Sequence, residues 1–294
     1  MIRDKNFNLL IKPLSGSVYQ YITAEKAGWA ALNFAARVLR ENGKWSGYTG
    51  NSEYGLTLLS GNLKVRTDKG EISTTNGRKD VFSGIAHSIY IPINTEFEVI
   101  ATSELLDVAY GWVKTEEEFP LQLRRPEDAR VEIRGGENAS RQINHLIYPG
   151  FECSRIVTCE VYTPAGNWSS FPAHKHDERI INDNNELIEA ELAETYFYKF
   201  AKPQGFAVQR VYTSDHELNE TAVTSNNDVV LVPKGYHPVS AGHGYNTYYL
   251  NYLAGSDQSL ACSMDPDHDW INGTWKFIDK RVPMVKKEMN TESL

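Results

Sequence analysis

Long apolar runs at helical spacing are absent from this 294-residue sequence, and that absence limits the fold more than any motif does. Instead, short β-branched and aromatic runs recur, at residues 54–60, 89–93, 96–102, 154–162, 195–200, 207–212, 229–232 and 247–253. Gly, Asn, Asp and Pro separate them. Many short strands between turn formers predict an antiparallel, all-β sandwich or barrel. The length suits one large or two medium domains.

A weak internal repeat favours two. Residues 89–96 superpose on 231–237 when Pro92 is set on Pro233, each a strand ending in proline and a turn. Glu96 then stands where His237 does. The first half contains no His-x-His, and its one histidine, His87, precedes the strand. The stretch 115–140 is rich in charge and turn formers and reads as a connection. The expected organisation is a barrel over 1–120 without a metal motif, a connecting segment at 121–150, and a metal-binding domain over 151–294.

Composition excludes several functions. A net charge of −8 argues against a general nucleic-acid surface. Three cysteines without framework spacing suggest a reducing compartment and small buried residues. The opening MIRDKNFNLLIKP has no signal-peptide core, and no stretch reaches the ~18 apolar residues of a membrane span. The expectation is a soluble, cytoplasmic protein without nucleic-acid or membrane partners. Exposed edge strands make a homo-oligomer plausible.

The chemistry centres on His174-Lys175-His176. Alternate residues of a strand share a face, so two imidazoles, good metal ligands, lie side by side. A turn at Gly166 precedes them, in the order of the first cupin motif, although seven residues intervene where five are usual. The glutamate expected soon after is missing. Asp177 points to the opposite face, and Glu186, Glu189 and Glu191 lie in an acidic segment that reads as an inserted loop or short helix. Glu194 opens a strongly strand-forming run and is the better preorganised ligand. Asn227, five residues, Pro233, Gly235 and then His237 follow the second cupin motif. His174, His176, Glu194 and His237 are therefore the expected ligands of a divalent transition metal with positions open to substrate.

Around them, Lys175 is expected in solvent. Lys234, in the turn before His237, is a candidate to hold a substrate carboxylate, and Arg141 and Arg210 flank the motifs. Tyr196, Tyr198, Tyr236, Tyr248 and Tyr249 offer hydroxyls for sugar contacts or proton transfer. His243 is a glycine-flanked loop residue near the site, and His268 is expected to be structural.

RPED, RGGENASRQIN, VYTPAGNWSSFPAHKHDE, QRVYTSDHELNE, DVVLVPKGYHPV, YYLNYLAG and DPDHDW together resemble the 5-deoxy-glucuronate isomerase family of bacterial myo-inositol breakdown. The resemblance implies a bicupin of two jelly-roll barrels and an aldose–ketose isomerase converting 5-deoxy-D-glucuronate to 5-dehydro-2-deoxy-D-gluconate. The related 4-deoxy-uronate ketol-isomerases carry zinc on a His-x-His, a later Glu and a final His. Their glutamate opens a strand similar to Glu194-Thr195-Tyr196-Phe197-Tyr198, so zinc is the implied metal. Tyr196 or Tyr198, or an unligated acid of the inserted segment, is the expected base. A cupin dioxygenase and a non-catalytic sugar-acid-binding cupin are the alternatives.

Overall fold

A computed structural model describes residues 8–291. The first half supplies β1 (Leu10–Ile11), β2 (Val18–Ile22), β3 (Asn33–Arg40), β4 (Lys44–Tyr48), β5 (Ser52–Ser60), β6 (Leu63–Thr67), β7 (Gly70–Ser73), β8 (Ser88–Ile91), β9 (Glu96–Ala101) and β10 (Leu105–Lys114). After β11 (Gln122–Arg124) come β12 (Arg130–Arg134), β13 (Arg141–Ile147), β14 (Val157–Thr163), β15 (Trp168–Ser169) and β16 (His174–Lys175). A hairpin follows, of β17 (Ile180–Ile181) and β18 (Leu187–Glu189). The chain continues through β19 (Leu192–Phe200), β20 (Ala207–Tyr212), β21 (Asn219–Thr224), β22 (Val229–Val232), β23 (Val239–Ala241), β24 (Thr247–Gly255) and β25 (Ser263–Met264).

The two halves repeat one topology. The large sheet of the first contains the order β8-β5-β10-β3-β2, and that of the second β22-β19-β24-β14-β13. Each faces a four-stranded sheet, β4-β9-β6-β7 and β15-β23-β20-β21. The protein is therefore nearly all β, a pair of jelly-roll barrels, and Pro92 and Pro233 end equivalent strands.

The stretch 121–150, expected as a connection, is built into the sheets instead. β11 extends the first large sheet beside β8, while β12 and β13 form an edge of the second. β1 crosses over, pairing Leu10 with Val230 at the far edge of the second barrel. These exchanges cover edges that would otherwise present unpaired backbone groups. The partners of β1 and β11 lie far away in sequence, so local charge and turn content could not reveal those pairings.

Strand alternation divides each large sheet between two tasks. Even-numbered residues of β3 and odd-numbered residues of β19 meet between the barrels, where the Phe34 ring lies 5.7 Å from both Phe197 and Tyr252. The Tyr252 hydroxyl donates to the Gly55 carbonyl at 3.0 Å and bonds Thr57 at 2.7 Å. A Cβ at Gly111 would stand 2.5 Å from the Tyr252 ring, so only glycine admits this approach. Arg78 and Glu160, both buried, pair at 2.8 Å across the same seam. Inside the first barrel, Leu56, Val65, Ile89, Phe97 and Tyr110 fill the space. The interior of the second barrel is different: its inward side chains leave a cavity.

Candidate metal centre and active site

His174, His176 and His237 bring their ring nitrogens within 4.8 Å of one another. His174 lies on the short β16, and His176 continues the extended chain past it. Backbone bonds at both ends hold the second ring: the Leu192 N–H donates to the His176 carbonyl at 2.9 Å, and Nδ1 of His176 lies 3.1 Å from the Leu192 carbonyl. Gly235, at φ +87°, makes the turn that aims His237 inward. Nδ1 of His237 lies 2.8 Å from the Gly235 carbonyl. Glu194 faces inward from β19, its Oε2 3.0 Å from Nε2 of His176 and 3.3 Å from Nε2 of His237.

This arrangement contains a conflict that identifies the chemistry. A carbonyl only accepts, so the Nδ1 atoms of His176 and His237 must carry the hydrogens. Their Nε2 lone pairs then point at a carboxylate oxygen, which is also an acceptor. Nε2 of His237 is buried and, although close to Glu194, is not aligned with it for a hydrogen bond. Three acceptors around one point call for a proton or a metal cation among them. Backbone carbonyls that fix Nδ1–H are the usual support of imidazoles whose Nε2 binds a metal. The donor set thus fits a divalent metal.

Without one, protons substitute. Burial pulls His176 down, but the hydrogen bond and charge of Glu194 outweigh it and hold the imidazole above its ordinary value. Burial likewise pushes Glu194 up, and the two histidines overcome it, so its carboxyl lies below the usual range. His174 has no such partner; burial, then the neighbouring His237 and His176, keep it well below its ordinary value and neutral.

The cavity beside this cluster is lined from β12, β13, β14, β19 and β24 by residues that include Arg134, Arg141, His145, Cys159, Tyr196, Tyr249 and Asn251. Arg141 is buried, and among the described residues only the Ala139 and Phe171 carbonyls accept from it. Ser170 holds the Tyr196 and Tyr249 hydroxyls at 3.1 and 3.3 Å.

Comparison with known proteins agrees with this fold. A family profile described as the KduI/IolB family matches residues 9–271. The chain belongs to the KduI/IolB family. The 5-deoxy-glucuronate isomerase of Geobacillus kaustophilus is 39% identical over 251 residues, 85% of this chain and 89% of that protein. That of Bacillus subtilis strain 168 is 34% identical over 272 residues, covering 90% and 98%. This KduI/IolB chain is an isomerase enzyme. An IolB-like protein of Salmonella typhimurium LT2 has a crystal structure with TM-score 0.86 and 35% identity, covering 90% of this chain and all of that one. The Bacillus subtilis oxalate decarboxylase, a protein with Mn(II) centres, shares the fold at TM-score 0.62 and 13% identity, over 89% of this chain and 80% of that one.

In this family member the structure gathers His174, His176, Glu194 and His237, with Arg141, Tyr196 and Tyr249 around the cavity. Other predicted residues lie elsewhere. Tyr198 shares the face of Glu194 but sits deeper, donating to Gln209 at 2.8 Å. Tyr236 packs with Ala173 and Tyr212 in a separate apolar cluster, and Tyr248 faces the seam between the barrels, donating to Glu160. Arg210 stacks on the Tyr212 ring at 3.9 Å and bonds Asn219. Lys234 is exposed on the turn, whereas His237 is fully buried.

Lys175 is not solvated. Its ammonium contacts Asp177 at 2.6 Å and buried Glu189 at 2.9 Å. Asp177 in turn accepts from the Gly235 N–H at 2.7 Å, tying the first motif to the second. The inserted segment is the β17–β18 hairpin, and its Glu189 also accepts from the N–H groups of Asp177 and Glu178. It braces the backbone behind the histidine pair. Sequence reasoning missed Arg134, His145 and Asn251. His145 and Arg134 sit at alternate positions with Arg141 and Glu132 across paired strands, a pattern visible only once 121–150 is read as strand.

Proposed function

We propose that this isomerase is a metal-dependent aldose–ketose isomerase that converts 5-deoxy-D-glucuronate to 5-dehydro-2-deoxy-D-gluconate in myo-inositol catabolism, in the cytoplasm, with zinc as the metal. The observation that carries metal dependence is the convergence of His176, His237 and Glu194 on one point beside His174, with the Nδ1 atoms of His176 and His237 turned to backbone carbonyls. The substrate comes from the activity shared by the relatives' names.

His174, His176, Glu194 and His237 would hold the metal, which would polarise the substrate carbonyl and stabilise the enediolate. The chain's own groups would do the rest. Arg141, buried and held by two carbonyls, would bind the substrate carboxylate, with Arg134 at the mouth adding a second positive charge. Tyr196 and Tyr249, aligned by Ser170, would orient sugar hydroxyls. Ile143, Val161 and Leu253 in the lining would limit water around the reacting carbons.

The test is conversion of the aldehyde acid by purified enzyme under argon, followed by NMR, with metal analysis of the same sample. Ketone formation that needs no oxygen and is lost in His237→Ala is expected. Turnover that depends on oxygen would assign a dioxygenase instead. Retained binding of the acid without product would assign a binding protein.

A further inference from the structure

The isomerisation needs a base, and the cavity contains a dyad placed to supply one. His145 lies on β13 and is 4% exposed, lining the cavity that holds the metal cluster. Its Nε2 lies 2.9 Å from Oε2 of Glu132 on the neighbouring β12. A carboxylate accepts, so Nε2 carries the hydrogen and Nδ1 carries the lone pair. Among the described residues, buried Nδ1 has no partner. Glu132 is itself fixed by Arg134, at 2.8 Å. A buried lone pair left unpaired costs stability, so its retention beside a ligand cavity points to use.

Elimination leads to the same residue. Of the titratable groups lining the cavity, His174, His176 and Glu194 belong to the metal cluster, and Arg134 and Arg141 are cations. The Tyr196 and Tyr249 hydroxyls are engaged by Ser170, and burial pushes the Cys159 and Cys262 thiols up, making their basic forms scarce. Burial lowers His145, with Arg134 and Arg130 acting the same way and Glu132 opposing. Tyr148 is the other ring beside it, 6.2 Å away. The imidazole is therefore neutral near pH 7 and able to take a proton.

We infer that His145, oriented by Glu132, is the general base that moves the proton between the two reacting carbons; the inference rests on the isomerase reading above. Nδ1 takes the proton from the carbon bearing the hydroxyl. The released pair becomes a carbon–carbon double bond, and the aldehyde π pair moves onto its oxygen. The hydroxyl proton passes to that neighbouring oxygen. The new oxyanion then closes to the ketone, and the double-bond pair takes the proton back from His145 at the former aldehyde carbon. One proton returns from the base and one has moved between oxygens, so no oxidant is needed. Glu132 is a positioning residue: it selects the tautomer and steadies the imidazolium.

The test compares kcat, KM, bound metal and exchange of the substrate's carbon-bound hydrogen with deuterated solvent in His145→Gln and Glu132→Gln. A positioned base contributes about 10²–10⁴ in rate, so His145→Gln is expected to lose at least about 100-fold in kcat and in exchange. KM and metal content should stay near those of the unsubstituted enzyme. Glu132→Gln should lower kcat about tenfold or more with the same metal content, a tautomer effect that provides a readout if His145→Gln does not fold. His145→Gln within threefold of the unsubstituted kcat would overturn the assignment of the base alone, as would an unaltered Glu132→Gln. An unsubstituted enzyme that fails to convert 5-deoxy-D-glucuronate would instead overturn the substrate reading, and this role with it.

Discussion

Stripping the metal site should leave a folded protein whose stability returns on adding zinc. Three imidazoles and one carboxylate converge in the folded state and are dispersed in the unfolded chain, so binding favours the folded state. Zinc at about 100 times its Kd adds about 2.7 kcal/mol. For 294 residues the unfolding entropy is about 0.6 kcal/mol/K, and the melting midpoint should rise by about 4–5 °C. The gain should also depend on pH. In the stripped protein the raised His176 makes the His176–Glu194 pair stabilising below the ordinary histidine value, and that contribution disappears as pH rises through the raised one. Zinc must displace this proton, so its effect should grow from mildly acidic to mildly alkaline solution. Differential scanning calorimetry of chelator-treated protein, with and without zinc, measures both trends. His237→Ala and Glu194→Gln should abolish most of the gain. A midpoint unmoved by zinc across this range, or variants that respond as fully as the unsubstituted protein, would refute the metal assignment.

Two further outcomes test other parts of the structure. Arg141→Lys keeps the charge but loses the planar fork, and should raise KM for the sugar acid by about 10-fold or more while metal content stays constant, as measured by steady-state kinetics. Burial drops His87 from 6.5 to about 4 in the folded protein, so it stays neutral there while the unfolded chain takes up a proton. Its contribution is complete above the unfolded value of 6.5 and falls by about 3 kcal/mol as pH drops toward 4. Urea unfolding should show this acid loss diminished in His87→Gln, and an equal loss in both proteins would disprove the linkage.

The sheets and the histidine–glutamate cluster were legible because both are written in local pattern. Alternation along residues 195–200 and 247–253 already separates one face from the other. A His-x-His pair, a strand-opening glutamate and a proline–glycine turn before histidine are each local signals. Glu194 stands out despite the displaced spacing because the strand that follows it is so strongly β-forming, and the structure places it beside His176 and His237. The insertion that displaced it becomes a hairpin whose Glu189 anchors Lys175 and the backbone of Asp177. Nothing in its acidic composition distinguished a brace from a solvated loop.

Choosing among the tyrosines and basic residues was beyond the reach of pattern. Tyr196 and Tyr198 share one strand face, yet Tyr196 reaches the cavity and Tyr198 is engaged by Gln209. Depth within a barrel depends on strand tilt and on what packs opposite, neither of which is encoded locally. Lys234 and His237 belong to one turn, yet Lys234 is exposed and His237 is buried.

The sequence by itself pointed to a duplicated all-β chain and to the four side chains that converge as candidate metal ligands, since these depend on periodicity and short-range spacing, while the family showed only as a resemblance of whole sequence blocks. The tertiary structure alone decided that residues 121–150 are strands, that β1 and β11 are exchanged between barrels, and that Glu132, Arg134 and His145 face the cavity. The reason is the range of the interactions. A ligand motif is completed within a few residues, whereas β12 and β13 acquire an inward face only by pairing at the edge of a sheet whose other strands come from the whole length of the chain.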